Sequence, residues 1–293
     1  REVSAASGSV GRILDGHLNA VERIAVAAPP EPRERELEAA RHGDRLLGVW
    51  GADPGPGEGE PAAITEGVDG LRLDGVKTFC SGAGGVDGAL VMARADEGPP
   101  LLVMVEIDET VEVDRSWFRP GGLRASESHR VAFTGTPVRF TLGGPGEMGR
   151  DPWFSRDAMR TASTWAGMAD AAAADAIADL AARRRGDELA RLAAGRISAA
   201  LGTIDAWMNA AAAAAEAGSA ELRPLSIRMR AEIVRAAELI VDEAARACGS
   251  RPFAVGSVLD RARRDLAVFT LQHRLDPLLA RHGGSLLDPE AGA

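Results

Sequence analysis

The corner Ser81-Gly82-Ala83-Gly84-Gly85 carries almost no side-chain bulk, and strand-like runs lead into and out of it. Backbone amides in such a corner can lie against a flat ligand, because no Cβ blocks the approach. The surrounding stretch 71–94 reads LRLDGVKTFCSGAGGVDGALVMAR, with Asp74-Gly75 as a hairpin signal between two alternating runs. It predicts a strand, a tight turn, a second strand, the corner and a third strand, with a cofactor against the corner. Other chemistries find little support. His17, His42, His129 and His282 show no metal spacing, and no serine sits in a nucleophile elbow. No P-loop occurs, and no G-x-G-x-x-G follows a strand. Cys80 and Cys248 build no disulfide framework and have no metal-ligand spacing, which fits a reducing, cytoplasmic setting.

Composition narrows the partners. A chain of 293 residues that is 45% hydrophobic can bury a sizeable core as two domains or one large one. A net charge of −9 argues against a nucleic-acid partner, which wants a basic face. No run of 18 apolar residues exists, so no transmembrane helix and no membrane partner are expected. The opening REVSAASGSV lacks the long apolar segment of a signal peptide. Tyrosine is absent while Ala, Arg and Gly abound, a coding bias without functional weight.

Three zones must position the corner. In 1–48, Val10, Ile13, Leu14, Leu18, Val21 and Ile24 recur at helical steps. Pro29-Pro30-Glu31-Pro32 breaks that helix, and a second is expected over 34–47. Two short helices cannot enclose a core, so this zone packs on something else or is the tail of a larger helical domain. Zone 49–142 is β-rich, with candidate strands at 62–66, 70–73, 75–80, 89–93, 101–106, 111–114 and 130–134. Strands at this spacing without intervening helices predict an antiparallel barrel or sandwich. The Gly/Pro-rich loop 51–60 reads as mobile. Zone 150–288 predicts helices near 153–184, 187–217, 224–247 and 259–281, joined by short turns as an antiparallel four-helix bundle. The expected fold class is therefore α+β multidomain: a short N-terminal helical region, a central β-barrel or sandwich, and a C-terminal four-helix bundle.

That order, with the wording of 71–94, of 121–138 (GGLRASESHRVAFTGTPV) and of 248–284, resembles the acyl-CoA dehydrogenase superfamily of flavoproteins. The first segment matches its G-x-K-x-aromatic-I-(Ser/Thr)-x-A pattern. The second matches its G-(Met/Leu)-R-(Gly/Ala)-S pattern, and the third resembles its G-G…L-x-R-x-x-R-D pattern. The resemblance implies a flavin, FAD or FMN, and places Phe79, Cys80 and Ser81 at its ring. An aromatic edge would pack the apolar end and a hydroxyl with backbone amides would bond the polar rim. Read without it, Phe79 is a strand core residue and Ser81 a turn residue. Trp50 stands where the family has a Leu-Thr-Glu-Pro segment, and either stacks on the cofactor or plugs the domain junction. The Thr-Glu pair and the Gly-Ser-Asp turn of the family are missing.

The resemblance also assigns chemistry to the helical zone. Nine residues after Arg264, where many dehydrogenases carry a catalytic glutamate, stands His273. Histidine can act as a base near neutral pH, and is also found near this place in the flavin-dependent monooxygenase branch. A helix histidine on the bundle surface is the plain alternative. Arg185 falls where the family reaches a neighbouring subunit's FAD pyrophosphate, although Arg-Gly-Asp here replaces its Arg-Phe-Gly. A solvated basic helix end explains Arg183-Arg184-Arg185 equally. Gly249 belongs to the third segment and is a further implied cofactor contact. The resemblance thus implies dehydrogenation of an acyl-CoA or carrier-bound thioester by a homodimer or homotetramer. Monooxygenation with reduced flavin and O2, or an inactive binding or assembly homologue, are the alternatives.

Overall fold

The computed structural model describes residues 1–219, 221–272 and 274–288. The chain divides into two compact units. One is helical and holds Arg1–Gly11, Gly121–Leu123 and Ser155 onward; the other is β-rich and holds Arg12–Pro120 and Arg124–Phe154. This division differs from the composition zones, because most of the N-terminal helical zone joins the strands.

The elements in chain order are α1 (Glu2–Ala6), α2 (Gly8–Ala27), α3 (Pro30–His42), β1 (Leu47–Trp50), β2 (Ala63–Gly67) and β3 (Gly70–Cys80). There follow β4 (Gly88–Ala93), β5 (Leu101–Glu106), β6 (Val111–Asp114) and β7 (His129–Leu142). The remaining helices are α4 (Trp153–Arg183), α5 (Glu188–Glu216), α6 (Leu222–Cys248), α7 (Arg251–Val255), α8 (Val258–Phe269) and α9 (Leu275–Leu287). Among the described residues no helix is long and apolar enough to cross a membrane.

In the β-rich unit the strands follow the order β1-β4-β5-β7-β3-β2, with β6 also on β7. β7 is the shared strand. Its first part lies between β3 and β6, and its end pairs with β5. The pairing is not wholly antiparallel as expected, because β1 runs parallel to β4. The hairpin signal also acts elsewhere. The turn between β2 and β3 is Val68-Asp69, closed by Gly70 at φ 119°. Asp74-Gly75 lies inside β3. There the Asp74 carboxylate accepts from the Gly135 N–H (2.7 Å) at a bulge in β7. Gly75 sits at φ 108°, and an added Cβ would meet the Glu60, Pro61 and Ala62 backbone.

α2 forms where the sequence expected a helix, whereas α3 spans Pro30–His42 and not 34–47, and Leu47 opens strand β1. Pro30 begins α3 because a first-turn proline lacks only an N–H the helix would not use. On α2, Ala20 and Ile24 pack with Leu47, Leu90, Leu102 and Leu142, while Val10 and Leu18 of the anticipated apolar stripe are exposed. Asp15, Asn19 and Arg23 are buried instead. Asn19 donates to Asp15 (3.2 Å), and Arg23 donates to the Met148 carbonyl (3.2 Å), so the buried polar groups are satisfied. The loop 51–60 is anchored. The nearly fully buried Lys77 ammonium bonds Asp53 (2.7 Å), Arg94 bonds the same carboxylate (3.1 Å), and Thr78 donates to the Asp53 carbonyl (3.1 Å). Burial raises the Asp53 carboxyl, and its bonds to Lys77 and Arg94 outweigh that and leave it below its ordinary value.

In the helical unit α4, α5, α6 and α8 contribute to one apolar core in which alanines of α4 meet Ile197, Ile204, Ile233, Ile240 and Leu259. The expected helix at 259–281 is two helices, α8 and α9, and α9 buries none of its described side chains. Asp265 on α8 accepts from the Leu123 N–H (2.6 Å) and Arg264 donates to the Gly121 carbonyl (3.0 Å). An added Cβ at Gly122 would overlap the Arg264 carbonyl, so only glycine permits this approach.

His17 on α2 accepts from the Leu47 N–H through Nδ1 (3.1 Å), which requires a neutral ring, and burial lowers its pKa. The unfolded chain therefore binds the proton more readily. Folding stability should be flat above the ordinary histidine value of about 6.5 and decline as pH falls below it. Denaturant titrations across that range check this: His17→Asn should flatten the slope, and an unchanged slope would assign it to other groups.

Candidate functional site

β3 buries Leu73, then Val76, Lys77 and Thr78 in succession, and then Cys80, so its burial does not follow a simple alternation. Lys77 pairs with Val131 and Cys80 with His129, so β3 carries one more residue than β7 over this span. The extra residue rotates Phe79 outward: its side chain is 59% exposed and its φ is 52°, a left-handed conformation rare for a bulky residue. Its ring packs edge-on against Trp117 at 4.9 Å between centroids. Trp117 is itself fixed by an Nε1–H bond to Glu58 (3.0 Å). An exposed aromatic held in a left-handed conformation marks Phe79 as a candidate ligand contact.

The neighbouring candidates are arranged differently from expectation. Trp50 is 1% exposed, packs with Phe133 and donates its indole N–H to the Ser81 carbonyl (3.1 Å). It is a core residue of the β-rich unit and has no free face to stack on a cofactor. The Cys80 side chain is fully buried, its thiol reaches the Thr78 carbonyl (3.7 Å), and burial pushes its pKa up. Only its backbone could meet a ligand. Ser81 shares a hydroxyl chain with Ser128 and Ser126, each step 2.8 Å.

The glycine corner is also occupied internally. The Gly82 N–H donates to the Ser126 carbonyl (2.8 Å), Ala83 to Cys80, and Gly85 and Val86 both to Gly82. These four amides close the turn, so they are not the donors for a flat ligand that the corner's composition suggested. Above Gly84 lies Glu127: an added Cβ there would overlap its Oε2. Arg115 holds that oxygen (3.0 Å) and also donates to the Gly84 carbonyl (3.1 Å). Glu127 has φ 44°. Its Oε2 is 3.9 Å from Nε2 of His129, a ring packed edge-on by Phe118. Nδ1 of His129 is buried and has no hydrogen-bond partner among the described residues. Burial lowers the pKa of this imidazole, against the pull of Glu127.

In the helical unit, Arg185 is exposed in the turn after α4, and its carbonyl accepts from Arg191 (3.3 Å). Arg183, two residues earlier, pairs with Asp179. Gly249 caps α6 at φ 74°, with nothing near its missing Cβ, so glycine serves the backbone turn there. Beside it is a pocket of about 150 Å³ lined by Asp175, Asp179, Cys248, Arg251 and Ser257 among others. Burial first, then Asp179, pushes the Cys248 thiol up to about 11, which keeps it protonated. Known small-molecule pockets start at roughly 300 Å³, so this one is too small for a whole cofactor. His273 lies outside the described residues. No group of three or more metal-ligating side chains occurs among those described.

The structure thus gathers Phe79, Ser81 and the corner, and adds four residues that sequence reasoning passed over: Arg115, Trp117, Glu127 and His129. The signal available for them was faint. Trp117-Phe118 is an adjacent aromatic pair in a chain with 4% aromatics, and it precedes the polar run RASESHR. If Phe79 is strained, glycine suits its position better than alanine by about 1 kcal/mol. Thermal or chemical denaturation should therefore rank Phe79→Gly above Phe79→Ala; the reverse order would mean the left-handed conformation costs nothing.

No protein-family profile matches the chain, and no curated protein matches it. Solved structures do. TdsC from Paenibacillus sp. A11-2, in complex with FMN and indole, is 22% identical, with 97% of this chain and 81% of that one covered and a TM-score of 0.84. KijD3, in complex with FMN and a dTDP-linked amino-keto sugar, is 23% identical, with 96% and 77% covered and a TM-score of 0.82. Butyryl-CoA dehydrogenase from Megasphaera elsdenii is 18% identical, with 98% and 80% covered and a TM-score of 0.87. The chain therefore has the acyl-CoA dehydrogenase-like fold, the fold of flavoproteins that include a butyryl-CoA dehydrogenase and a dibenzothiophene monooxygenase.

Proposed function

We propose that this protein is a flavin-dependent oxidoreductase acting on a small molecule. The observation that carries the reading is Phe79: an exposed aromatic ring, on a strained backbone, within the segment that resembles the flavin-contacting pattern of this fold. The residues present fit such a group in part. Phe79 would supply the apolar contact for the ring system, braced by Trp117, while Trp50 and Cys80 support the platform from within the core. When bound, the flavin supplies hydride or electron acceptance. The chain's part is to orient the substrate and move a proton. For an acyl thioester that means removing the proton at the α-carbon, and His273 is the candidate base. Arg185 and Gly249 remain candidate contacts for the phosphate end of FAD, and a homodimer or homotetramer is the assembly this reading expects.

Monooxygenation with reduced FMN is the second reading. A histidine, His273, stands nine residues after Arg264, where many dehydrogenases of the resembled family carry a glutamate, and TdsC, a dibenzothiophene monooxygenase, binds FMN in the same fold. The two readings separate in one experiment. Purified protein is titrated with FAD and with FMN while its absorbance is followed. Bleaching by an acyl-CoA without oxygen supports dehydrogenation; oxygen uptake with supplied reduced flavin supports monooxygenation. Phe79→Ala should weaken flavin binding by about 0.5–1.5 kcal/mol, the worth of one aromatic contact. No flavin bound by either form would leave the inactive homologue and sink this proposal. A His273→Ala variant that turns over at the parental rate would remove that residue from the reaction.

A further inference from the structure

We propose that Arg115 and the Gly84-Gly85 corner form a binding site for a phosphate group, and that Glu127 is its displaceable occupant. The site stands on its own geometry; only the source of the phosphate rests on the oxidoreductase reading.

Three observations place Glu127 as a stand-in anion. Its carboxylate takes the space that a Cβ at Gly84 would fill, so the missing side chain accommodates an anion. It is fixed there by Arg115, whose fork spans Glu127 Oε2 and the Gly84 carbonyl. It reaches that place from a left-handed backbone, φ 44°, a conformation that costs a non-glycine residue about 1 kcal/mol or more.

The occupant is also easy to remove. Both partners of the Arg115–Glu127 pair are substantially exposed, 62% and 42%, and such pairs contribute roughly 0–1 kcal/mol. A phosphate brings more charge and more acceptor oxygens to the same guanidinium fork than a single carboxylate does. A displaced Glu127 has a second partner within reach, because Nε2 of His129 is 3.9 Å from its Oε2. Gly85 has open space where its side chain would be, leaving the corner accessible. The aromatic platform is close in sequence and structure: Trp117, two residues after Arg115, is the residue that touches Phe79.

The unusual consequence is that removing a charged residue should tighten binding. Parent, Glu127→Gln and Arg115→Met proteins, matched for thermal midpoint, are titrated calorimetrically with inorganic pyrophosphate, FMN, riboflavin, coenzyme A and pantetheine. Glu127→Gln should bind pyrophosphate roughly tenfold tighter than the parent and Arg115→Met roughly tenfold weaker, the scale of one charge-assisted hydrogen bond. The same gain for FMN but not riboflavin assigns the site to the flavin's phosphate. A gain for coenzyme A but not pantetheine assigns it to the substrate's nucleotide. Tighter pyrophosphate binding with no flavin bound by any form keeps the site and defeats the oxidoreductase reading. Equal or weaker pyrophosphate binding by Glu127→Gln overturns the site, whatever the flavin does.

Discussion

The pairing of β3 with β7 is the constraint on which the β-rich unit depends. Strand side chains alternate, so a slip of one residue would send every buried group of β3 to the other face. The two strands avoid that slip with two compensating irregularities. An extra residue on β7 near Gly135 is matched by one on β3 between Lys77 and Cys80. The first is secured by the Asp74 carboxylate on the Gly135 amide. The second turns Phe79 outward while keeping Lys77, Thr78 and Cys80 buried. The same register sets His129 opposite Cys80, and with it brings the 126–129 segment against the glycine corner. The platform and the Arg115–Glu127 pair are thus two results of one strand alignment.

Buried polar groups do much of the remaining positioning. An unpaired buried charge is costly, so Lys77 fixes where Asp53 must lie and orders a loop whose glycines and prolines would otherwise leave it free. The hydroxyls of Ser81, Ser126 and Ser128 satisfy one another, which ties the corner to the segment before β7. In the helical unit Asp265 plays the same part toward the Leu123 amide, and burial raises its carboxyl pKa above the ordinary value. Each of these residues holds backbone in place.

Much of this was legible in the sequence. Helical periodicity located α4, α5 and α6 to within a few residues of their ends, because long apolar repeats outweigh local ambiguity. Alternation located most strands. The segments carrying the resemblance lie in a chain whose fold matches that of acyl-CoA dehydrogenase-like flavoproteins. Other features were misread for identifiable reasons. Asp69-Gly70 and Asp74-Gly75 look alike as dipeptides, yet one ends a hairpin and the other sits mid-strand, because the backbone at 60–62 approaches Gly75. α2 was placed correctly, but its apolar repeat did not reveal that Asp15, Asn19 and Arg23 would be the buried ones, since their partners include one far along the chain.

The sequence by itself determined most of the helices and strands, though not β1 or the break between α8 and α9, and which short motifs deserved attention, since those depend on neighbours a few residues apart. Tertiary structure decided how those motifs are used. A bulk-free corner can receive a ligand or a side chain of its own protein, and composition does not distinguish the two. Here the corner's amides close on Ser126, Cys80 and Gly82, and its open face receives Glu127. Likewise Trp50 and Phe79 are both aromatics in candidate positions, and one is in the core while the other faces solvent. The reason is physical: exposure and hydrogen-bond partnership are set by strand register between residues distant in sequence, and no local pattern encodes that register alone.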